Sequence, residues 1–351
     1  MTVIGPAPTK RPISRRRRLL FALLPLTVIL LVAEVAIRLG RAPLHFGSFR
    51  ELRLDLFKRN YPAERDPLLG YVPRANFKSS DNHWGTLVSI DADGMRRNGE
   101  GQPPAGQLVA AVGDSFTFGD QVDDDASWPA QLETELGRPV KNGGVFGYSM
   151  TQAVLRAESM IERWPVEDLV VSFIAGDLER CEYEKRYTPV PWFDIVEGRL
   201  VLQNVPVPAE TAPDGAKEWK DLIGHSALLD AIFAHTMKQW WYENEKQVTV
   251  PRLKDRGPEI GKLLVERFEA ACRARGVRPL LVLQGNRRDP GATAVMQHAA
   301  SRGMATLDLV ERFLAAAEQD PGVQQRWFDG HMTREGNLWV AQQIAAELRS
   351  H

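Results

Sequence analysis

QLVAAVGDSFTFG, residues 107–119, holds the reading that decides the fold. Its first half is an apolar run of the length of a buried strand, and it ends on Gly113-Asp114-Ser115, where Asp and Ser can cap a following helix. Next comes WPAQLETELG (128–137), which has helical spacing, so a βα rhythm begins here. RPVKNGGV (138–145) fits a second strand, SMTQAVLRAESMIERW (149–164) an amphipathic helix opened by Ser149, and DLVVSFIAGD (168–177) a third, β-branched strand. Later, EIGKLLVERFEAACRARG (259–276) reads as a long helix ended by Gly276, RPLLVLQG (278–285) and ATLDLV (305–310) as strands, and Thr333 to Ser350 as the last helix. Apolar strands separated by helices imply a parallel sheet covered on both faces. The expected fold class is therefore α/β, a flavodoxin-like three-layer α/β/α sandwich around a five-stranded parallel sheet.

In such a sheet, function collects in the loops at the carboxyl ends of the strands. Strand one runs into Asp114-Ser115, strand two into Asn142-Gly143-Gly144, strand three into Gly176-Asp177, and the loop before the last helix holds Asp329-Gly330-His331. A serine hydroxyl is a poor nucleophile until a histidine takes its proton, and a carboxylate that orients the histidine completes the arrangement. Of the seven histidines, His331 alone is flanked by Asp329 and Gly330 ahead of a terminal helix.

These blocks resemble those of the GDSL or SGNH hydrolases, over residues 107 to the end, with AEVAIRLG (33–40) and DPLLGYVPRANF (66–77) similar to the front of membrane-anchored members. The resemblance implies Ser115 as nucleophile, His331 as base and Asp329 as the orienting acid. The oxyanion hole it implies is the backbone N–H of Ser115, Gly147 from the N-x-x-x-x-G block Asn142 to Gly147, and the position of Gly176. Two departures stand out. Where the family has G-x-N-D, this chain reads Ile174-Ala175-Gly176-Asp177, so position 176 offers only backbone, with Arg180 as a stand-in donor. Acid and base are spaced D-x-H instead of D-x-x-H, as in anchored and alginate O-acetyltransferase-like branches. The resemblance implies a serine esterase removing acetyl or other small acyl groups from carbohydrate, with no metal and no cofactor. Its alternatives are an O-acetyltransferase using the same triad and a carbohydrate-binding module that has kept the fold.

The N-terminus is a separate signal. Lys10, Arg11 and Arg15 to Arg18 precede LLFALLPLTVILLVA, and Leu19 to Ile37 at about 1.5 Å per residue reach roughly the thickness of a bilayer core. Glu34, near the far end, can pair with Arg38 one turn on. The arginines should stay cytoplasmic, giving a single-pass anchor in the cytoplasmic membrane with the rest of the chain in the periplasm or outside the cell; a cleaved signal peptide is the rival reading. Expected segments are a basic head 1–18, a span 19–38, a stalk or accessory segment 39–105 packing onto the following domain, and a hydrolase-like domain 106–351. An aromatic insert, 178–255, containing Tyr183, Tyr187, Trp192, Phe193, Trp219, Trp240, Trp241 and Tyr242, reads as a substrate lid or as its own small core. With 44 Lys+Arg against 45 Asp+Glu, the chain has no basic excess for nucleic acid. Asp91-x-Asp93-Gly94 and Asp123-Asp124-Asp125 read as turns. Cys181 and Cys272 could form at most one bridge.

Overall fold

The computed structural model describes residues 15–41, 45–52, 62–82, 84–186, 188–208, 219–237, 240–241, 250–251 and 254–350. Lys10 and Arg11 of the basic head, and Tyr187 and Tyr242 of the insert, lie outside the described residues. The chain forms two compact units: Phe57–Ala212 with Glu245–His351, and Met1–Leu56 with Pro213–Asn244.

The larger unit is built on five parallel strands, β1 (Leu108–Val112), β2 (Val140–Asn142), β3 (Val166–Phe173), β4 (Arg278–Leu283) and β5 (Ala305–Asp308). Their order across the sheet is β5-β4-β3-β1-β2. Register is fixed by pairs such as Val112↔Val171 between β1 and β3 and Leu283↔Phe173 between β4 and β3. Successive side chains of a strand point to opposite faces. Ala110 and Val112 accordingly pack with Met150, Val154, Leu264 and Val295 on one face. Val109 and Ala111 pack with Trp128, Leu132, Val340 and Ile344 on the other. Because both faces are buried, the strands read as continuous apolar runs, and each large aliphatic side chain so buried stabilises by about 1.5–3 kcal/mol.

Helix ends follow their sequence signals. Ser149 and Gln152 form a capping box at the start of Met150–Arg163, and Gly137 and Gly276 close their helices in the left-handed conformation that glycine adopts without a Cβ clash.

Two expected segments are divided differently in the structure. Residues 57–105 are part of the larger unit, because Leu69, Val88, Ile90 and Met95 are buried in it and the Arg96 backbone bridges to Asn142 at the end of β2. The insert is split. Its hairpin, Trp192–Val196 with Arg199–Gln203, places Phe193 in the larger core. The helices Trp219–Gly224 and Ala227–Thr236 belong to the smaller unit with the N-terminal helix Arg15–Arg41.

Within that N-terminal helix, Leu23–Arg41 is long and apolar enough to cross a membrane, and it is not buried by the protein. Its mean hydropathy is 2.1. Both cysteines are buried free thiols, and burial pushes Cys181 up to about 11 and Cys272 up to about 12.

Candidate active site

β1 ends at Val112, and Gly113 turns the chain where a Cβ would lie 2.5 Å from the Ser172 carbonyl oxygen. Only glycine fits that approach. The short helix Ser115–Phe118 follows, capped by the Asp114 carboxylate, which accepts from the Phe116 N–H at 2.9 Å. Ser115 thus sits at the first helical position, where N–H groups have no partner inside the helix. Its Oγ lies 2.8 Å from Nε2 of His331. The two residues are 216 positions apart in sequence and meet at the carboxyl edge of the sheet.

His331 is carried on the two-residue strand His331–Met332, which pairs antiparallel with Phe328–Asp329 across Gly330. Its ring stacks at a tilt beside Phe116, with centroids 5.2 Å apart. Burial holds its pKa below the ordinary 6.5; Asp114 opposes that shift and Arg180 adds to it. Nδ1 is buried with no hydrogen-bond partner. Asp329 is exposed and makes no bond to that nitrogen, but it is the direct cross-strand partner of His331. Side chains at such a pair have Cβ atoms about 5 Å apart, within a rotamer change of contact.

A second carboxylate, which the sequence did not single out, lies closer. Asp120 Oδ2 is 3.8 Å from His331 Nε2, and its Oδ1 is buried without a partner. Burial, and then the nearby Asp114, push Asp120 up to about 7. The loop that carries it is stapled by Arg96, a fully buried guanidinium that donates to the carbonyls of Phe118, Gly119, Val122 and Leu87 and to the Asp124 carboxylate. Asp123 and Asp124 accept from the backbone N–H groups of Leu87 and Ser89, so this acidic run is a braced turn.

Gly147 lies in the loop after β2 with φ of +75°, in the left-handed region. Three bonds hold this loop: Tyr71 donates to the Phe146 carbonyl at 2.8 Å, Arg186 to the Gly147 carbonyl at 2.8 Å, and Arg156 to the Gly143 carbonyl at 2.7 Å. Gly144 approaches the nucleophile helix so closely that a Cβ would lie 2.4 Å from the Phe118 nitrogen. Asn142 is buried and accepts from the Gly144 N–H, a bracing role.

Gly176 is the second residue of helix Ala175–Arg180, which follows β3. A Cβ there would meet nothing nearer than Ile174 Cδ1 at 3.7 Å, with Arg180 Nη2 at 4.0 Å. Arg180 Nη1 is committed to the Asp114 carboxylate at 3.1 Å, the Tyr148 carbonyl at 3.0 Å and the Asp177 carboxylate. Asp177 also accepts from the Ile174 N–H, and burial beside Asp114 holds it well above the usual carboxylate range. Arg180 is therefore the clamp of a two-carboxylate cluster beneath Ser115.

Beside His331 lies a cleft of about 330 Å³ whose lining includes Thr86, Gln121, Asp123, Asp329, Thr333 and Arg334. Among the described residues, none of those in 178–255 lines it. Asp91 closes its turn by accepting from the Asp93 and Met95 N–H groups, and no metal-binding cluster of His, Cys, Asp or Glu occurs among the described residues.

The sequence matches no protein-family profile and no curated protein. The chain is similar to several solved structures at low identity. One is an acetylxylan esterase from Geobacillus stearothermophilus, 14% identical, covering 71% of this chain and 96% of that one with a TM-score of 0.36. Another is the lipase/acylhydrolase from Enterococcus faecalis, 10% identical, covering 70% and 96% with a TM-score of 0.36. A third is the psychrotrophic esterase EstA from Pseudoalteromonas sp., 8% identical, covering 70% and 98% with a TM-score of 0.37.

Proposed function

We propose that this protein is a serine esterase of the SGNH type, held at the cytoplasmic membrane by its N-terminal helix, that removes acetyl or other small acyl groups from carbohydrate outside the cytoplasm. The observation that carries the reading is the 2.8 Å contact between Ser115 Oγ and His331 Nε2 at the carboxyl edge of the sheet. With the ring protonated at Nδ1, Nε2 accepts the hydroxyl proton as Oγ attacks the ester carbonyl. The oxyanion then faces the backbone N–H groups of Ser115 and Gly147, with that of Gly176 as the third donor. Breakdown of the tetrahedral adduct returns the proton from Nε2 to the leaving alcohol, and water repeats the sequence on the acyl-enzyme.

In this reading Asp329 turns onto the buried, unpartnered Nδ1 and stabilises the imidazolium, as apo sites often tighten only with substrate bound. The cleft mixes apolar Val122, Ala126 and Met332 with the hydrogen-bonding side chains of Thr86, Gln121 and Arg334, a lining that supports a substrate carrying both a small acyl group and hydroxyls. Membrane attachment is supported by the exposed apolar span Leu23–Arg41 behind an arginine cluster.

The test is hydrolysis of p-nitrophenyl acetate by the full chain in detergent. Ser115→Ala and His331→Ala are each expected to lower kcat by about a thousandfold or more. Full activity in either folded variant would remove that residue from the chemistry. Acyl release that accelerates when a glycan is added would identify transfer to a sugar hydroxyl in place of hydrolysis.

A further inference from the structure

The smaller unit carries an apolar surface that esterase chemistry does not use. Glu34 lies inside the candidate span Leu23–Arg41. Its carboxylate accepts from the backbone N–H groups of Ala227 at 3.0 Å and Leu228 at 2.8 Å and from Ser226 Oγ at 2.8 Å, so it caps helix Ala227–Thr236 from a distant part of the chain. Asp230, the sole acidic residue of that helix, is fully buried; it pairs with Arg41 at 2.8 Å and accepts from Trp241 Nε1 at 2.8 Å. Arg38 bonds Glu34 and donates to the His225 carbonyl at 2.7 Å. The buried Asp230 is thus paired, and the partly exposed Glu34, Arg38 and Arg41 are paired with it and with one another.

The apolar side chains face the other way. Leu222 is 73% exposed and Ile232 44%, and Trp219, Leu229, Met237 and Trp240 are exposed as well. Glu34 stands seven residues, about 10 Å along the helix, before the end of the span at Arg41, so with that end taken as the membrane surface a helix capped on Glu34 begins below it. Ala227–Thr236 has ten residues, about 15 Å, too short to cross. Tryptophans at the boundary with water suit the headgroup level.

We infer that helices Trp219–Gly224 and Ala227–Thr236, with Trp240, form a second membrane element, docked on the anchor helix and seated among the lipids of the outer leaflet through Leu222, Leu229, Ile232, Trp219 and Trp240. The occupant assigned to this face is lipid, because the helix that bears it packs on the proposed anchor helix, whose own apolar side chains are exposed. The inference rests on the proposed membrane anchor, and its test separates the two.

The full chain is reconstituted in phosphatidylcholine/phosphatidylglycerol vesicles with an environment-sensitive fluorophore on Leu222→Cys, Ile232→Cys, Leu30→Cys in the anchor, or Val201→Cys on the hairpin of the larger unit. Both native thiols are buried and stay unlabelled. Spin-labelled lipids should quench positions 222 and 232 several-fold more than 201, with the shallow label more effective than the deep one, while the deep label quenches position 30. Quenching at 30 with none above the 201 level at 222 and 232 overturns the lipid docking and leaves the anchor standing, as when the larger unit or a second copy covers the face. No quenching at 30 removes the anchor reading and the inference with it.

Discussion

Asp120, beside His331, sits in an environment unlike that of a surface acid. Burial and the neighbouring Asp114 raise it from 3.8 to about 7. For an acid raised in the folded state, the favourable contribution is complete below the unfolded value and is lost as pH rises through the folded one. Asp120→Asn should therefore stabilise the chain at pH 8 by up to about 4 kcal/mol and leave it nearly unchanged at pH 4, as read by urea unfolding at the two pH values. Equal effects at both would contradict the raised pKa. Position 176 invites the opposite kind of change. Its Cβ would have ordinary contact only, so Gly176→Asn should fit and supply the side-chain donor the chain lacks. A rise in kcat of about tenfold or more is expected from acyl-ester kinetics, given what one oxyanion donor contributes. Unchanged kcat would place the amide outside the hole. Ser115 and His331 were legible because a strand end and a terminal loop mark them locally. Asp120 was not, since its approach to His331 depends on where Arg96 pins the loop, and no spacing in the sequence records that.

At the scale of elements, legibility followed burial. The strands read clearly where both faces are covered, as in Leu108–Val112 and the apolar stretches of Val166–Phe173 and Arg278–Leu283, and the helices because Ser149, Gly137 and Gly276 mark their ends. Residues 62–105 form only strands of two to four residues, too short to show a period, so they read as a stalk. Yet they hold the candidate site together: Tyr71 reaches the loop that carries Gly147, and Arg96 the loop that follows Ser115. Arg96 pairs with Asp124 and meets four backbone carbonyls while fully buried. Arg96→Ala leaves those groups unsatisfied, and a loss of about 3–5 kcal/mol in urea unfolding is expected. A loss below about 1 kcal/mol would mean that water replaces the guanidinium without penalty.

At the scale of the whole molecule, two compact units share one chain, and the chain crosses between them more than once. The sequence showed the apolar N-terminal helix and the sheet but not this exchange. Residues 178–255 carry aromatic residues without a local signal for partners, and the bonds that sort helix Ala227–Thr236 with the N-terminal helix reach back to Glu34, nearly two hundred residues away. The segment read as a lid or as its own small core; among its described aromatics, Phe193 packs in the larger core and Trp241 is buried in the smaller unit. The central claim concerns Ser115, and one measurement addresses it most directly: treatment of the full chain with a fluorophosphonate, followed by peptide mapping. The expected result is a single adduct on Ser115, formed far more slowly in His331→Ala. A folded chain that takes no adduct, or takes it on another residue while Ser115 stays unmodified, would contradict the account.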